Sequence, residues 1–293
     1  MPVHRVTLSD LNPRQRRVLA EKRLAESLPL GELLGILQPL ARLDRTLARS
    51  GMRLAVIAML AFFTTVITFI VLAVNGFPSW LIPVPVASLV LLVLAASRAR
   101  RLAKMTLAQK LPRLVVPLLA VLKEEVDATA PVTLAVDLTA AQLPQKLAGT
   151  QDLPDAPPFY KISARLYRDA WMTGQCQLAN GARLAWSVTA ELREISRRKR
   201  GGGKVKFQTK VKNRSLFTVS IALPKDGFAF APPSGAASVP ADGRLKVGAK
   251  RDTLTLTRVV KTNSAEPPDA AHLLDTMADA FRRARAVDKA AGA

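Results

Sequence analysis

The residues that most often carry metal or catalytic chemistry are scarce in this chain. Its 293 residues include two histidines and one cysteine. The two histidines, His4 and His272, lie near opposite ends of the sequence, which argues against a histidine-based metal site. Cys176 has no partner for an intramolecular disulfide and no histidine near it in sequence to activate it as a nucleophile. The sequence therefore indicates no catalytic residue, no metal and no cofactor, and it favours a protein that is not an enzyme.

Nucleotide-binding fingerprints are missing as well. A run of three glycines precedes Lys204, but a phosphate-binding loop would need a glycine and a hydroxyl residue where Arg198 and Val205 stand. Aromatic residues make up 5% of the chain. We expect Trp171, Trp186 and Phe207 to pack in the core or in a hairpin rather than to form a ligand platform.

Charge is absent from one long stretch. No residue from Leu54 to Ser97 is charged, and a membrane span needs about 20 apolar residues. Turn-forming residues at Asn75–Trp80 divide the stretch into segments 54–74 and 80–97. We therefore predict a transmembrane helical hairpin over 54–97, and a buried hairpin in a soluble fold is the alternative. The first segment begins too far along the chain for a cleavable signal peptide.

Basic residues flank both segments, whereas the loop between them has no charge. By the positive-inside tendency, both termini are expected in the cytoplasm and the short loop outside. The composition is rich in Ala, Arg and Leu, as in many bacterial proteins, so the predicted location is a bacterial inner (plasma) membrane. The flanking residues are Arg42, Arg45, Arg49 and Arg53 before the first segment, and Arg98, Arg100, Arg101, Lys104, Lys110 and Arg113 after the second.

Helical periodicity continues on both sides of the hairpin. In residues 1–53, leucines at helical spacing predict N-terminal cytoplasmic helices that lead into the first span, with a kink at Pro39. Residues 98–126 repeat apolar side chains every three or four positions. They predict a cytoplasmic stalk helix that bends at Pro112 and Pro117.

The apolar residues then alternate, so residues 127–293 are predicted to form a cytoplasmic, mainly-β domain. Residues 131–140 read as a half-buried strand, residues 145–159 as an exposed connection, and Asn180-Gly181 as a hairpin turn. A C-terminal helix is predicted over 267–287, with Asp269 in its first turn and arginines in its last. The predicted fold class is an α+β membrane protein.

A long β-ribbon is predicted on the two sides of Gly201–Gly203. The apolar residues of its first arm are even-numbered (184–192) and those of its second arm are odd-numbered (217–223), so opposed residues must sum to an odd number. A three-residue loop closed by Arg200 and Lys204 would give an even sum. We therefore predict a bulge or a different loop closure. Because apolar residues thin out towards the tip, we expect the tip to project from the core.

The ribbon is strongly basic. From Ala182 to Arg214 there are eleven Lys or Arg and two Glu, so this stretch carries +9 of the net charge of +21. A solubilising edge that blocks sheet-to-sheet aggregation would have this composition. So would a surface for anionic lipid headgroups, an acidic protein or nucleic acid. The candidate anion-contacting residues are Arg197, Arg198, Lys199, Arg200, Lys204, Lys206, Lys210, Lys212 and Arg214.

The resulting hypothesis is a membrane-anchored, non-enzymatic binding or scaffolding protein. Its basic β-ribbon would contact anionic lipid headgroups or an acidic partner. One alternative is an accessory subunit of a membrane complex, a homo- or hetero-oligomer that assembles through the hairpin and the stalk. Another is a membrane protein that contacts nucleic acid, although Phe207 alone interleaves the charges where a single-strand reader needs several stacking aromatics.

Overall fold

The computed structural model describes residues 8–75, 83–201, 204–225, 228–230 and 242–286. It has a mixed α+β architecture with a large antiparallel sheet. The chain divides into two compact units, of which the first comprises Met1–Ala20 and Pro39–Leu107 and the second Glu21–Gln38 and Ala108–Ala293. Two predicted loops, residues 76–80 of the hairpin and Gly202-Gly203 of the ribbon, lie outside the described residues.

The first unit is helical. After helix α1 (Pro13–Glu21), the chain forms α2 (Leu30–Asn75), which contains Pro39, and α3 (Pro83–Met105). Among the described residues, one helix is long and apolar enough to cross a membrane, namely the Leu30–Val71 part of α2. The apolar part of α3, Val86–Ala99, is shorter. The second span of the predicted hairpin therefore stays a prediction.

Within the apolar segments of these two helices, residues 54–74 and 86–97, most of the large side chains are exposed. Phe69 of α2 and Val93 of α3 are each 61% exposed, and most of their large apolar neighbours are exposed too. A helix in the core of a soluble protein would bury such residues. The two helices contact each other where the hydroxyls of Thr65 and Ser88 lie 2.8 Å apart, and the buried residues of this region are small, as in many membrane helix pairs.

The second unit is dominated by an eight-stranded antiparallel sheet in the order β1-β2-β4-β5-β6-β9-β8, with β3 paired to the remaining length of β4. Its strands are β1 (Arg23–Pro29), β2 (Pro131–Asp137), β3 (Leu147–Leu153), β4 (Phe159–Gln177), β5 (Arg183–Gly201), β6 (Lys204–Pro224), β8 (Asp242–Val247) and β9 (Arg251–Thr262). Short strands β7 (Phe228–Phe230) and β10 (Ala284–Ala286) pair separately.

Two strands replace structures that the sequence predicted otherwise. The N-terminal helical prediction is wrong for β1, which pairs with β2 along its whole length. Lys22 has a φ of 52°, a left-handed conformation that ends α1 and redirects the chain. The prediction of a plain connection over 145–159 is wrong for β3, whose exposed residues pair with β4. In both cases the partner strand supplies the backbone hydrogen bonds that the local sequence pattern does not announce.

The continuous stalk helix predicted over 98–126 is also wrong. Helix α3 ends at Met105, Ala108 and Gln109 adopt positive φ, and the chain resumes as a π-helical turn at Leu111–Val115 followed by α4 (Val116–Leu122). Prolines at 112 and 117 cannot donate a backbone hydrogen bond, so they favour these short starts over a long helix.

The C-terminal helix is shorter than predicted. Helix α5 spans Ala271–Arg282, so Asp269 precedes it and no acidic residue lies in its first turn. Arg282 lies in the last turn as predicted, but β10 follows in place of further helix. The helix packs on β6 and β9 through its buried face, which includes Leu273 and Met277.

The pairing of the ribbon follows the predicted parity. Strand β5 opposes β6 from Arg183↔Ala222 to Gly201↔Lys204, so every pair sums to an odd number and no bulge interrupts it. The different loop closure that the sequence predicted is thus confirmed. The Asn180-Gly181 turn is confirmed as well, since it joins β4 to β5 and Gly181 has a φ of 80°.

The ribbon tip does not project alone. Strand β4 accompanies β5 as far as the Phe159↔Lys199 pair, so that side of the tip is covered. Strand β9 pairs with β6 from Asn213 onwards. The outer half of β6 therefore forms an edge of the sheet.

Gly174 is required by the packing of the sheet. It lies opposite Trp186 on β5, and a Cβ at this position would overlap the indole ring. We expect Gly174→Ala to destabilise the protein by about 1–3 kcal/mol, because an overpacked core must move its neighbours. Chemical unfolding of the full chain, followed by tryptophan fluorescence, measures the change. Gly149→Ala is the matched control, since a Cβ there meets no atom within 4 Å, and equal effects of the two substitutions would contradict the assignment.

Candidate anionic-surface site

The two faces of the ribbon carry different side chains. Directly paired residues of an antiparallel sheet share a face, and the face alternates along each strand. Even-numbered residues of β5, such as Leu184 and Val188, are buried with odd-numbered residues of β6, such as Phe217 and Val219. The opposite face therefore collects the odd-numbered residues of β5 and the even-numbered residues of β6.

Most of the predicted site residues lie on that opposite face. They come from both arms of the ribbon and are exposed or half-buried. Arg198 lies on the other face, where its guanidinium stands 5.2 Å from the centroid of the Phe207 ring. The side chains of Arg200 and Lys204 lie outside the described residues. The predicted residues that the structure brings together are Arg197, Lys199, Lys206, Lys210, Lys212 and Arg214.

Three further cations join this face. Arg193 pairs with Lys212 across the ribbon, Arg168 of β4 pairs with Glu191, and Lys261 of β9 pairs with Arg214. The parity of β5 could have indicated Arg193. Nothing in the local sequence indicates Lys261, because it reaches the site only through the pairing of β6 with β9.

We call the nine cations together the basic face. Glu191 is the one carboxylate among the cross-strand partners described on it, and it lies 3.6 Å from Arg214. Within the described part of the chain, none of the other eight cations has an ion-pair partner. The basic face consists of Arg168, Arg193, Arg197, Lys199, Lys206, Lys210, Lys212, Arg214 and Lys261.

A small apolar cluster fixes the outer part of the basic face. Ile162, Ala164 and Ile195 are buried together, with Leu153 and Phe159 packed against them. The guanidinium of Arg197 lies 5.3 Å from the centroid of the Phe159 ring, a cation–π contact. The cluster joins β3, β4 and β5, and it thereby gives the cations near the tip a defined backbone.

Phe207 is the exposed aromatic residue at the tip, with 69% of its surface accessible. Trp171 and Trp186 are buried core residues, as predicted. Phe207 is not a core residue; its ring contacts Arg198 across the ribbon. A single-strand nucleic-acid reader would present several such rings. Among the described aromatic residues of the tip, Phe207 is the exposed one, whereas Phe159 and Tyr160 of β4 are half-buried.

A buried ionic cluster, which the sequence did not indicate, supports the sheet. Lys110, counted above among the membrane-flanking charges, donates hydrogen bonds to the carboxylate of Asp169 at 2.8 Å and to the backbone carbonyls of Asp137 and Thr139. Its ammonium also lies 5.0 Å from the Trp171 ring. All three donors of the ammonium are engaged, so Lys110 is a structural clamp. Burial lowers the pKa of Lys110, although the Asp169 charge beside it acts in the opposite direction.

The second lysine of the cluster connects its two carboxylates. Lys146 lies 2.8 Å from Asp169 and 3.2 Å from Asp137. Burial alone would raise the pKa of Asp137, but hydrogen bonds from Thr139 and the nearby Lys146 hold it below its usual value. The ionised form of Asp137 is therefore stabilised in the folded protein.

The cysteine is a core residue, as predicted. Cys176 is buried on β4, and burial raises the pKa of its thiol to about 12. The thiolate needed for nucleophilic chemistry is therefore disfavoured at neutral pH. Among the described residues, no group of three or more His, Cys, Asp or Glu could hold a metal ion.

The depressed pKa of Asp137 makes stability depend on acid pH. A carboxyl with a lowered folded pKa contributes stability above its unfolded value of 3.8, and this contribution is lost as the pH falls through the lower folded value. We expect Asp137→Asn to lower the unfolding free energy at pH 7 by about 1–3 kcal/mol, and the difference from wild type to shrink below pH 3.8. Denaturant titration of the full chain at pH 7 and at a pH below 3.8 measures the difference in unfolding free energy. Asp152→Asn, at an exposed site on β3, should have little effect; a pH-independent loss in Asp137→Asn would contradict the assignment.

Known proteins give no further guide to this site. Comparisons with protein-family models, curated proteins and solved structures find no match to the chain. The charge and geometry of the basic face are therefore the basis for the function proposed below.

Proposed function

We propose that this chain is a membrane-anchored, non-enzymatic binding protein that contacts anionic lipid headgroups through the tip of its basic face, namely Arg197, Lys199, Lys206 and Lys210. The observation that carries the proposal is the one-sided charge of the sheet, where nine cations share a face with one described carboxylate. Such a face is unfavourable in isolation, because like charges repel. An anionic surface would relieve this repulsion.

The proposed anchor is a hairpin of two membrane spans, residues 54–74 and 80–97. It is supported by the length and composition of α2, by the exposed apolar side chains of α2 and α3, and by the Thr65–Ser88 contact between the helices. The threonines of α2 also donate to carbonyls of the preceding turn, as Thr64 does to Leu60, which satisfies their hydroxyls in an apolar environment.

The proposed orientation places both termini in the cytoplasm of a bacterial inner membrane. Arginines precede the first span and follow the second, while the residues between the spans have no charge. A cytoplasmic sheet would be tethered close to an anionic leaflet, where each basic residue near the surface contributes about 1 kcal/mol of attraction. Tethering makes headgroups the nearest abundant anions, which is why we place lipid before an acidic protein or nucleic acid.

Lipid contact should protect the lysines of the tip. With the full chain in nanodiscs, we expect Lys206 and Lys210 to be acetylated several-fold more slowly in discs with phosphatidylglycerol than in zwitterionic discs. The protection should disappear near 1 M salt, where the Debye length is about 3 Å. Mass spectrometry of tryptic peptides measures the rates, and the exposed Lys246 and Lys250 serve as internal references.

Two charge-matched variants make this experiment specific. In the double variant Lys206→Gln with Lys210→Gln, Lys199 should lose its protection from acetylation in anionic discs. The double variant Lys246→Gln with Lys250→Gln removes the same charge, but Lys199 should stay protected. Equal acetylation rates of wild-type Lys206 in both kinds of disc would overturn the lipid contact. Protection that appears only on addition of an acidic protein or nucleic acid would assign the face to that partner instead.

The proposed topology predicts protease protection from outside the cell. Protease added to intact spheroplasts should leave residues 127–293 uncut, and should digest them once the membrane is permeabilised. Immunoblotting with an antibody to the C-terminal region follows the fragment. Digestion in intact spheroplasts, or recovery of the full chain in the soluble fraction without detergent, would contradict the topology.

A further inference from the structure

The inner end of the basic face is a groove rather than a flat surface. Its open volume is about 1220 Å³, and its walls come from β3, β4, β5, β6 and β9. We call it the sheet groove. The charged residues that line it are Arg168, Glu191, Arg193, Lys212, Arg214 and Lys261.

The cations of the sheet groove occupy two adjacent cross-strand rows. Arg168, Arg214 and Lys261 lie in one row that crosses four strands, with Glu191 between the first two. Arg193 and Lys212 form the next row towards the tip. Neighbouring strands lie about 4.8 Å apart and alternate residues about 7 Å apart, so the five cations span roughly 14 Å by 7 Å at the backbone.

These cations are poorly neutralised by the protein itself. Among the described residues that line the sheet groove, Glu191 is the one carboxylate, and it stands beside Arg214. The Nε atom of Arg193 is shielded from solvent and has no hydrogen-bond partner among the described residues. A buried donor without an acceptor is unfavourable unless a ligand or water supplies one. An anionic oxygen atom beside Arg193 would supply the acceptor for its Nε–H group.

The size of the groove favours a small ligand. Its volume is on the scale of a few hundred to about 1,000 Å³ that is usual for small-molecule sites. These five cations line one groove, whereas the cations of the tip lie along the outer part of the ribbon. Arginine side chains also pair with phosphate oxygens in a bidentate manner, which suits a phosphorylated ligand.

We propose that the sheet groove binds a compact, soluble molecule that carries two or more phosphoryl groups, with Arg193 and Lys261 as its principal contacts. This site is separate from the lipid contact proposed above, which involves the tip of the basic face. It would make the protein a membrane-tethered receptor for a phosphorylated small molecule.

The test uses the full chain in zwitterionic nanodiscs and inorganic tripolyphosphate as the probe, in metal-free buffer with isothermal titration calorimetry. We expect wild-type protein to bind the probe with one site per chain. Arg193→Gln and Lys261→Gln should each weaken binding by at least about tenfold, as expected for the loss of a charged hydrogen bond. Arg193→Lys retains the charge and should bind more tightly than Arg193→Gln.

A charge-matched variant at the tip tests whether tripolyphosphate binds in the sheet groove or is attracted by the net positive charge alone. Lys199→Gln with Lys206→Gln removes the same charge as Arg193→Gln with Lys261→Gln, but should change the affinity by less than about threefold. Equal losses in the two double variants, or no binding by wild type, would overturn the proposal. Unfolding midpoints equal to wild type establish that the variants are folded.

A final arm separates the sheet groove from the lipid contact. If phosphatidylglycerol in the discs abolishes tripolyphosphate binding at about 150 mM salt, the groove is a headgroup site and the proposal fails. Conversely, Arg193→Gln with Lys261→Gln should leave the protection of Lys206 from acetylation in anionic discs unchanged. A failure of lipid contact at the tip can therefore be distinguished from a failure of ligand binding in the sheet groove.

Discussion

The register of β5 against β6 is the constraint on which the sheet and its charged face depend. Each pair sums to an odd number, which places the even residues of β5 and the odd residues of β6 in the core. A slip of one residue would turn Phe217 to solvent and bury Lys212. The burial of the core residues thus holds the cations on the opposite side. Burial of the core residues fixes the register of β5 and β6, and this register places the basic face on the opposite side of the sheet.

The buried cluster around Lys110 performs a second structural task. Its ammonium joins the segment before the π-helical turn to the end of β2 and to Asp169 on β4. Removing one member of a buried ion pair leaves an uncompensated charge, which costs about 3–5 kcal/mol. Lys146 and Asp137 extend the cluster towards the surface. The helical segment after residue 110 is therefore held to the sheet by polar contacts as well as by leucines.

The sequence predicted correctly those features that depend on residues close together in the chain. The alternation around Trp186, the Asn180-Gly181 turn and the parity of the ribbon are properties of neighbouring residues, and the structure has them. Strands β1 and β3 were missed because they are short and largely exposed, so pairing rather than burial defines them. The helix break at 106–110 was missed because the local pattern does not indicate the positive φ of Ala108 and Gln109.

The candidate site also contains residues that the sequence could predict and residues that it could not. The cations of the ribbon could be found by counting charges, and alternation places seven of them together, including Arg193. Arg168 and Lys261 could not be found, because their positions depend on which strands lie beside β5 and β6. Membership of the basic face is a property of the strand order, which periodicity does not encode.

The bulge in β4 has a consequence for how this chain can vary in length. Between Ala170 and Met172 the strand holds one residue more than its partner, so Trp171 and Met172 are both buried in succession. The extra residue switches which side chains of the preceding segment face inwards, placing Asp169 beneath the sheet and Arg168 above it. Loss of one residue here would exchange those two charges. Surface loops can gain or lose residues at little cost, but an insertion or deletion in the middle of β4 would move these charges to the wrong faces.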